Sequence, residues 1–338
     1  MSGMGRRMHS VVVVTGASSG IGRATALAFA RQKAAVVLVA RRPEALALVA
    51  HECRELGAEA LVAPADVADH EAIEAVARDA AGTFGRIDVW VNNAAVNLFA
   101  NVEEAPVDAW HATVRTNLFG TFHGVRSALP WMREQGDGVI VNVSSVLGKI
   151  GSPYQSAYVA SKHAIRALSD SVRQEVSDVP GISVCTVLPG PVDTPLFEEA
   201  GNFTGRAITP PRPVISAERV ADAIVRCARS PKREVIVGAS TAHALLANRV
   251  SPRLAERVAA RQVPREHFGR SPAPPDPGNV LAPGKASSIS GGWSRGSRRL
   301  DPQDPQAATN RRGPGRRILA GAGVAAAAYA GLRWLRSS

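Results

Sequence analysis

The stretch VVVVTGASSGIGRA, residues 11–24, decides the fold. Its first five residues predict a strand buried on both faces, and glycines follow directly at positions 16, 20 and 22. Glycines allow a sharp turn and a close approach of the backbone to a ligand, and a helix that begins there offers N–H groups and a positive dipole end. This order predicts a site for the pyrophosphate of a dinucleotide. The alternative is a glycine-rich turn without a ligand.

Short apolar runs alternate with helical segments as far as about residue 240. The runs are Val11–Thr15, Ala35–Ala40, Glu59–Ala63, Ile87–Asn92, Gly138–Ser144, Ile182–Leu188 and Glu234–Gly238. Strands of this composition, separated by helices, indicate a parallel sheet that is covered on both faces. We therefore predict an α/β fold, a doubly wound (Rossmann) parallel sheet of about seven strands flanked by helices.

Charge and composition divide the chain into parts. Residues 251–338 carry 15 Lys and Arg against 5 Asp and Glu, whereas the first 250 residues carry 25 against 24. A nearly neutral main part argues against nucleic-acid binding. We predict one domain over residues 1–262, a disordered linker rich in Pro, Gly and Arg over 263–315, and a basic-flanked apolar helix over 316–338.

The final segment, RRILAGAGVAAAAYAGLRWLRSS, leaves three alternatives open. Its apolar part is shorter than the roughly 20 residues of a spanning helix, yet arginines flank both of its ends. A membrane-embedded helix, a helix lying on a membrane surface and a helix docked on the domain are all compatible with it.

The cysteines Cys53, Cys185 and Cys227 lie far apart and lack the spacing of metal ligands, so we expect no metal. They fit a reducing compartment. We expect a cytoplasmic protein, with attachment to the inner face of a membrane through the C-terminal segment as an open alternative.

The end of the second predicted strand, VVLVARRPE, bears on the choice of dinucleotide. A ribose with a free 2′-hydroxyl favours an acidic residue at this place, whereas this chain has Arg41 and Arg42. Guanidinium groups pair well with phosphate, so we predict NADP(H). NAD is the alternative if these arginines are ordinary solvent-facing charges. Asp66, after the third strand, is placed to accept a hydrogen bond from the adenine amino group.

The stretch SAYVASKHAIRAL, residues 156–168, places Tyr158 and Lys162 four positions apart on one helix face. The pair is either a solvated helix face or a phenol set beside an ammonium for proton transfer. A free tyrosine has a pKa of about 10, and a neighbouring cation favours its ionised form. The pair alone does not decide between these alternatives.

Motifs along the chain resemble those of the short-chain dehydrogenases/reductases, a family of single-domain Rossmann type. They are TGASSGIG, ADV, NNAA, VRTNLFGTF, VNVSS, YVASK and LPGPVDTP. They occur in the family's order between about Val11 and Gly238. NNAA departs from the more usual NNAG without touching a reacting group. The chain beyond about residue 262 lies outside the resemblance.

The resemblance implies a role for each matching residue. Tyr158 would be the general acid/base, Lys162 its partner, Ser145 rather than Ser144 the hydroxyl that binds the carbonyl, and Asn117 the fourth catalytic residue. The implied cofactor contacts are Gly16, Ser18, Ser19, Gly20, Ile21, Gly22, Arg41, Arg42, Asp66, Val67, Asn93, Ala94, Tyr158, Lys162, Pro189, Gly190, Val192 and Thr194.

We therefore expect an NADP(H)-dependent oxidoreductase that interconverts a carbonyl and a secondary alcohol, with a proton from Tyr158. The alternative is a catalytically idle cofactor-binding scaffold or redox sensor, tethered by its C-terminal tail. The expected partner is a small carbonyl or alcohol, and a lipophilic one would suit a tail near a membrane. The family analogy implies a homodimer or homotetramer that pairs the helices carrying TNLFGTFHGV and YVASKHAIRAL.

Overall fold

The computed structural model describes residues 10–294 of the chain. The strands are β1 Val11–Thr15, β2 Ala35–Ala40, β3 Ala60–Pro64, β4 Val89–Asn92, β5 Leu98–Phe99, β6 Gly138–Val143, β7 Ile182–Pro189, β8 Val192–Asp193, β9 Gly201–Asn202, β10 Arg206–Ile208, β11 Ile215–Ser216, β12 Glu234–Val237 and β13 Phe268–Pro272. The helices are α1 Gly20–Ala30, α2 Pro43–Glu55, α3 His70–Phe84, α4 Val107–Val114, α5 Gly120–Gln135, α6 Ser156–Glu175, α7 Ala217–Arg229, α8 Ala239–Val250 and α9 Pro252–Glu266.

Seven strands form one sheet in the order β12-β7-β6-β4-β1-β2-β3, and every neighbouring pair is parallel. The predicted doubly wound α/β fold is confirmed. β1 pairs with both β2 and β4. From β1 the chain adds β2 and β3 on one side of the sheet, and then β4, β6, β7 and β12 on the other. Ligands of such sheets bind where the strand order reverses, at the carboxyl ends of the strands.

The valine run of β1 shows why both faces of the sheet are covered. Val12 and Val14 belong to an apolar cluster with residues of α1 and α7, whereas Val11 and Val13 belong to a second cluster with residues of α3 and α5. Side chains of a strand alternate between its two faces, so a strand buried on both needs an uninterrupted apolar sequence. All four valines are 2% exposed or less.

Residues 263–294 differ from the predicted disordered linker. β13 pairs antiparallel with β10, and the segment that follows, residues 276–294 and here called the strap, lies against the main domain. Val280 of the strap packs with Val96 and Leu98. The prediction relied on the scarcity of large apolar residues, but backbone and side-chain hydrogen bonds hold this segment in place. The folded domain therefore extends past residue 262.

The C-terminal apolar helix predicted for residues 316–338 lies outside the described part of the chain. Between residues 10 and 294, no helix has the length and apolar character needed to cross a bilayer.

Candidate active site

The glycine-rich turn between β1 and α1 has the geometry that its sequence predicts. Gly16 and Gly20 have φ angles of +67° and +53°. A Cβ at Gly22 would lie 2.0 Å from the carbonyl oxygen of Gly16, so only glycine fits there. No side chain caps α1 at Ser19. The N-terminus of α1 thus lacks the side-chain cap that would compete with an anion, although the Gly20 N–H donates to Ser288 of the strap.

Strand β4 holds this turn in position. The Thr15 hydroxyl accepts hydrogen bonds from the backbone N–H groups of Asn93 (2.9 Å) and Ala94 (3.1 Å). The Asn93 side-chain amide donates to the carbonyl oxygen of Thr15 at 2.9 Å. The turn and the end of β4 thus form one rigid wall, at the place where the strand order reverses.

A cavity of about 280 Å³ begins at this turn and reaches the start of α6. It is lined by the predicted residues Gly16, Ser18, Ser19, Gly20, Ile21, Arg41, Arg42, Asp66, Val67, Asn93, Ala94, Ser145, Tyr158, Lys162, Pro189, Gly190, Val192 and Thr194. Gly22 and Asn117 are buried in the walls behind it. One cavity thus brings together the predicted phosphate-binding turn and the predicted acid/base group.

Ser145, Tyr158 and Lys162 converge at one end of this cavity. Ser145 follows β6, and its hydroxyl accepts from the backbone N–H of Leu147 at 3.1 Å and hydrogen-bonds to Tyr158. The Lys162 ammonium lies 5.5 Å from the centre of the Tyr158 ring and donates to the carbonyl oxygen of Val143 at 2.9 Å. Both α6 side chains are buried, so the pair is not a solvated helix face.

The pKa values of this pair differ from the simple expectation of a phenol made acidic by its neighbour. Burial raises the pKa of Tyr158 to about 12, and the hydrogen bond to Ser145 offsets only part of that effect. Burial also lowers the pKa of Lys162 to about 7. Desolvation is the largest cause of both shifts, since each charged form is costly in a buried site. At neutral pH the tyrosine is a protonated acid.

Ser144 and Ser145 have different hydrogen-bond partners. The Ser144 hydroxyl donates to the carbonyl oxygen of Lys162 at 2.8 Å, so it braces α6 against β6. The Ser145 hydroxyl faces Tyr158 in the cavity.

Asn117 lies in a π-helical turn, Arg115–Phe119, between α4 and α5. Its side chain accepts from the N–H of Val96 at 2.8 Å and donates to the carbonyl oxygen of Val96 and to the Ser161 hydroxyl. The Ser161 hydroxyl in turn donates to the carbonyl oxygen of Tyr158 at 2.8 Å. Asn117 thus connects the α6 turn carrying the phenol to the wall of the cavity, and π turns of this kind occur often at functional sites.

The strap covers the other end of the cavity, where Arg41 and Arg42 lie. Six of its carbonyl oxygens accept hydrogen bonds from residues around the glycine-rich turn and the end of β2. Arg41 donates to Asn279 (3.0 Å) and Ala282 (3.2 Å), Arg42 to Lys285 (2.9 Å) and Ala286, Arg23 to Ser287, and the N–H of Gly20 to Ser288 (3.0 Å). The arginines predicted to read a phosphate are therefore not ordinary solvent-facing charges.

Asp193 fixes the far end of the strap. Its carboxylate accepts from the Ser290 hydroxyl at 3.0 Å and from the backbone N–H groups of Trp293 (2.9 Å) and Ser294 (3.1 Å). Burial alone would raise the pKa of Asp193, but these hydrogen bonds hold it below its usual range. The carboxylate is therefore ionised at neutral pH and holds the strap against the domain.

Sequence reasoning missed the strap and the residues that precede it. Asn279, Pro283, Gly284 and Ala286 line the cavity, and so does His267 at the end of α9. Most contacts of the strap use backbone carbonyls, which leave no signature in residue type. The one signal available was the position of His267, directly before the apolar Phe268, in a segment otherwise rich in proline and arginine.

Together, the fold and the cavity define a dinucleotide-binding α/β protein with a buried tyrosine–lysine pair. Residues 10–204 match the family model described as short chain dehydrogenase. The chain belongs to the short-chain dehydrogenase/reductase family, whose members are oxidoreductases.

Two curated relatives and one solved structure place the chain within this family. An uncharacterized oxidoreductase of Bacillus subtilis, YxnA, is 35% identical over 268 residues, which are 78% of this chain and 75% of that protein. The 3beta-hydroxysteroid dehydrogenase of Mediterraneibacter gnavus is 39% identical over 198 residues, 58% of this chain and 71% of that protein. An alcohol dehydrogenase of the archaeon Thermococcus sibiricus, solved with 5-hydroxy-NADP, has a TM-score of 0.60 and 30% identity, covering 68% of this chain and 96% of that one.

Proposed function

We propose that this protein is an NADP(H)-dependent oxidoreductase that interconverts a carbonyl and a secondary alcohol. The observation that carries the proposal is the single cavity that joins the glycine-rich turn to Tyr158, Ser145 and Lys162. The Tyr158 phenol gives the site a proton donor. The Ser145 hydroxyl faces the same cavity, and the buried Lys162 amine beside the phenol offers a means of replacing the proton.

The residues present fit a dinucleotide. The turn at Gly16 and the first turn of α1 suit a pyrophosphate, and Arg41 and Arg42 suit a 2′-phosphate. Asn279 lines the adenosine end, and its buried Oδ1 has no hydrogen-bond partner within the described part of the chain, which suits the amino group of an adenine. When bound, the nicotinamide supplies or accepts the hydride.

The chain's own residues would handle the carbonyl oxygen and the proton. In reduction, the Ser145 hydroxyl donates a hydrogen bond to the carbonyl oxygen as negative charge develops there. Tyr158 gives its proton to the same oxygen, so one hydride and one proton yield the alcohol. The ammonium of Lys162 stabilises the phenolate that remains, and Asn117 keeps this turn of α6 in place through Ser161.

Replacing Arg41 with aspartate tests the choice of cofactor. Arg41→Asp should lower the ratio of kcat/KM with NADPH to that with NADH by about 10- to 100-fold, since a charge-assisted hydrogen bond to the 2′-phosphate is lost and a repulsive carboxylate replaces it. The measurement is initial-rate kinetics with both cofactors. Because Arg41 also holds the strap, Arg23→Ala is the matched control: it frees the strap at Ser287 and should leave the ratio unchanged. An unaltered ratio in Arg41→Asp would refute the role of this arginine.

We further propose that α5 and α6 pair with their counterparts in a second copy of the chain. Phe119, the last residue of the π-helical turn, and Phe122, in the first turn of α5, are 49% and 46% exposed. Apolar side chains of this size, close together on one helix, are typical of a surface that a partner covers. Light scattering of purified protein should give a dimer or tetramer, and Phe119→Asp combined with Phe122→Asp should shift it toward monomer. A wild-type monomer at micromolar concentration would refute this assembly.

A further inference from the structure

His267 is a buried polar side chain with an unsatisfied atom in the wall of the candidate active site. The residue is 8% exposed, and its Nδ1 has no hydrogen-bond partner among residues 10–294. Its backbone is fixed, because its N–H donates to Val263 at 2.9 Å and its carbonyl oxygen accepts from Thr209 at 2.8 Å. Buried polar atoms are nearly always paired in folded proteins, so this one needs an explanation.

Aromatic side chains hold the imidazole ring in position. The ring centre lies 5.8 Å from that of Phe99 and 6.4 Å from that of Phe197. The ring of the next residue, Phe268, packs edge-on against the ring of Tyr154, with 5.1 Å between their centres. Tyr154 lies two residues before α6 begins. The ring therefore has a fixed place in an apolar wall, within the cavity that also holds Tyr158.

Resting on the proposed carbonyl–alcohol chemistry, we propose that His267 determines substrate specificity. Its neutral imidazole forms a hydrogen bond with an uncharged oxygen, a hydroxyl or a second carbonyl, that the substrate carries away from its reacting carbon. A substrate with this oxygen satisfies the buried ring, whereas a substrate without it leaves the ring unpaired. Sites that hydrogen-bond a substrate group in this way reject analogues that lack it.

Charge around the cavity narrows the class of substrate further. In the described part of the chain, the cationic side chains lining the cavity are Arg41 and Arg42 at the adenosine end and Lys162 beside Tyr158. Burial lowers the pKa of His267 to about 4, so the ring is neutral at physiological pH. A substrate carboxylate near His267 would find no further cation among the described residues that line the cavity. Leu196 and Phe197 add apolar surface to the lining of the cavity. The lining therefore favours a largely apolar ketone or secondary alcohol that carries one further neutral oxygen.

Matched pairs of ketones test this assignment. The probes are straight-chain methyl ketones from pentan-2-one to decan-2-one, each compared with its terminally hydroxylated counterpart, with NADPH as reductant. For the chain length that best spans the cavity, wild-type enzyme should have a kcat/KM about tenfold higher for the hydroxylated ketone. In His267→Phe, which keeps an aromatic ring against Phe99 and Phe197, this ratio should fall to about one. The fall in the ratio should come from a lower kcat/KM for the hydroxylated ketone, because only that ketone loses a hydrogen bond.

Two further variants separate hydrogen bonding from folding. His267→Gln retains a hydrogen-bonding group and should restore part of the preference. His51→Phe, the same substitution at an exposed position on α2, should leave the ratio at its wild-type value. A preference that persists in His267→Phe, or no preference at any chain length in the wild type, overturns the assignment.

A measurement without turnover keeps this proposal separate from the proposed function. In protein labelled with ¹⁵N at histidine and loaded with NADP⁺, the hydroxylated ketone should shift the imidazole nitrogen resonances of His267, and the plain ketone should leave them in place. If no ketone is reduced, the proposed function fails, yet this titration still decides the role of His267. Equal spectra with both ketones would overturn it.

Discussion

Replacing Tyr158 with phenylalanine should lower kcat/KM for carbonyl reduction by about 10²- to 10⁴-fold, the usual contribution of a positioned general acid. The phenol is buried and hydrogen-bonded to Ser145, and burial keeps it protonated at neutral pH with a pKa of about 12. Tyr158→Phe removes one oxygen and leaves the ring, so the proton donor is lost while the packing of α6 is kept. Initial rates with NADPH over a range of ketone concentrations measure the effect.

The control for this variant is Tyr154→Phe. Tyr154 is also a tyrosine near the start of α6, but it packs on Phe268 and has no part in the proposed proton transfer. Its kcat/KM should stay within about threefold of wild type. Both variants should retain NADPH binding, which separates a lost proton donor from a lost cofactor site. Full activity in Tyr158→Phe would refute the mechanism and leave a cofactor-binding scaffold as the better description.

The central strands of the main sheet could be predicted from the sequence because they are buried on both faces. Such strands must be almost wholly apolar, as the run Val11–Thr15 shows. Residues that favour turns, such as Gly16, mark where they end. The seven predicted runs correspond to β1, β2, β3, β4, β6, β7 and β12, with ends that differ by two residues or fewer. Where burial on both sides dictates composition, sequence reasoning is reliable.

The candidate site was predictable in its members but not in its electrostatics. Tyr158 and Lys162 share a helix face because of their spacing, and that much follows from sequence. The degree of desolvation does not, because it depends on β6, on the turn after it and on the neighbouring loops. Burial is the largest cause of the shift in both pKa values.

The C-terminal extension was the part that sequence reasoning described least well. Residues 263–294 are poor in large apolar side chains, and the pattern indicated disorder. Their order comes from backbone carbonyls paired with Arg41, Arg42 and Arg23, and from the carboxylate of Asp193. Donors and acceptors that belong to different parts of the chain cannot be matched before the fold is known. The site is thus completed by a segment that the family's motifs do not include.

Replacing Lys162 with methionine should lower activity and raise stability at the same time. Methionine fills a similar volume without a charge, and we expect kcat/KM for reduction to fall by about 10²- to 10³-fold at pH 6.5, because no cation remains to stabilise the phenolate. The same change removes a buried ammonium whose pKa has been lowered by burial from 10.5 to about 7. An enzyme in which Lys162 only fills space would lose little activity.

The gain in unfolding free energy expected for Lys162→Met depends on pH. Below pH 7 the amine is charged in both folded and unfolded chains, so the full cost of burying the charge is present in the wild type. Between about pH 7 and 10.5 the folded protein binds fewer protons than the unfolded chain, and that cost declines by about 1.4 kcal/mol per pH unit. The gain in unfolding free energy of Lys162→Met should therefore be largest below pH 7 and shrink above it, as measured by denaturant titration.

Wild-type reduction should decline above pH 7 as the ammonium is lost, whereas the residual activity of the variant should lack that decline. A variant that is less stable than wild type at pH 6, or that keeps the decline, would show that Lys162 is not the buried cation of the site.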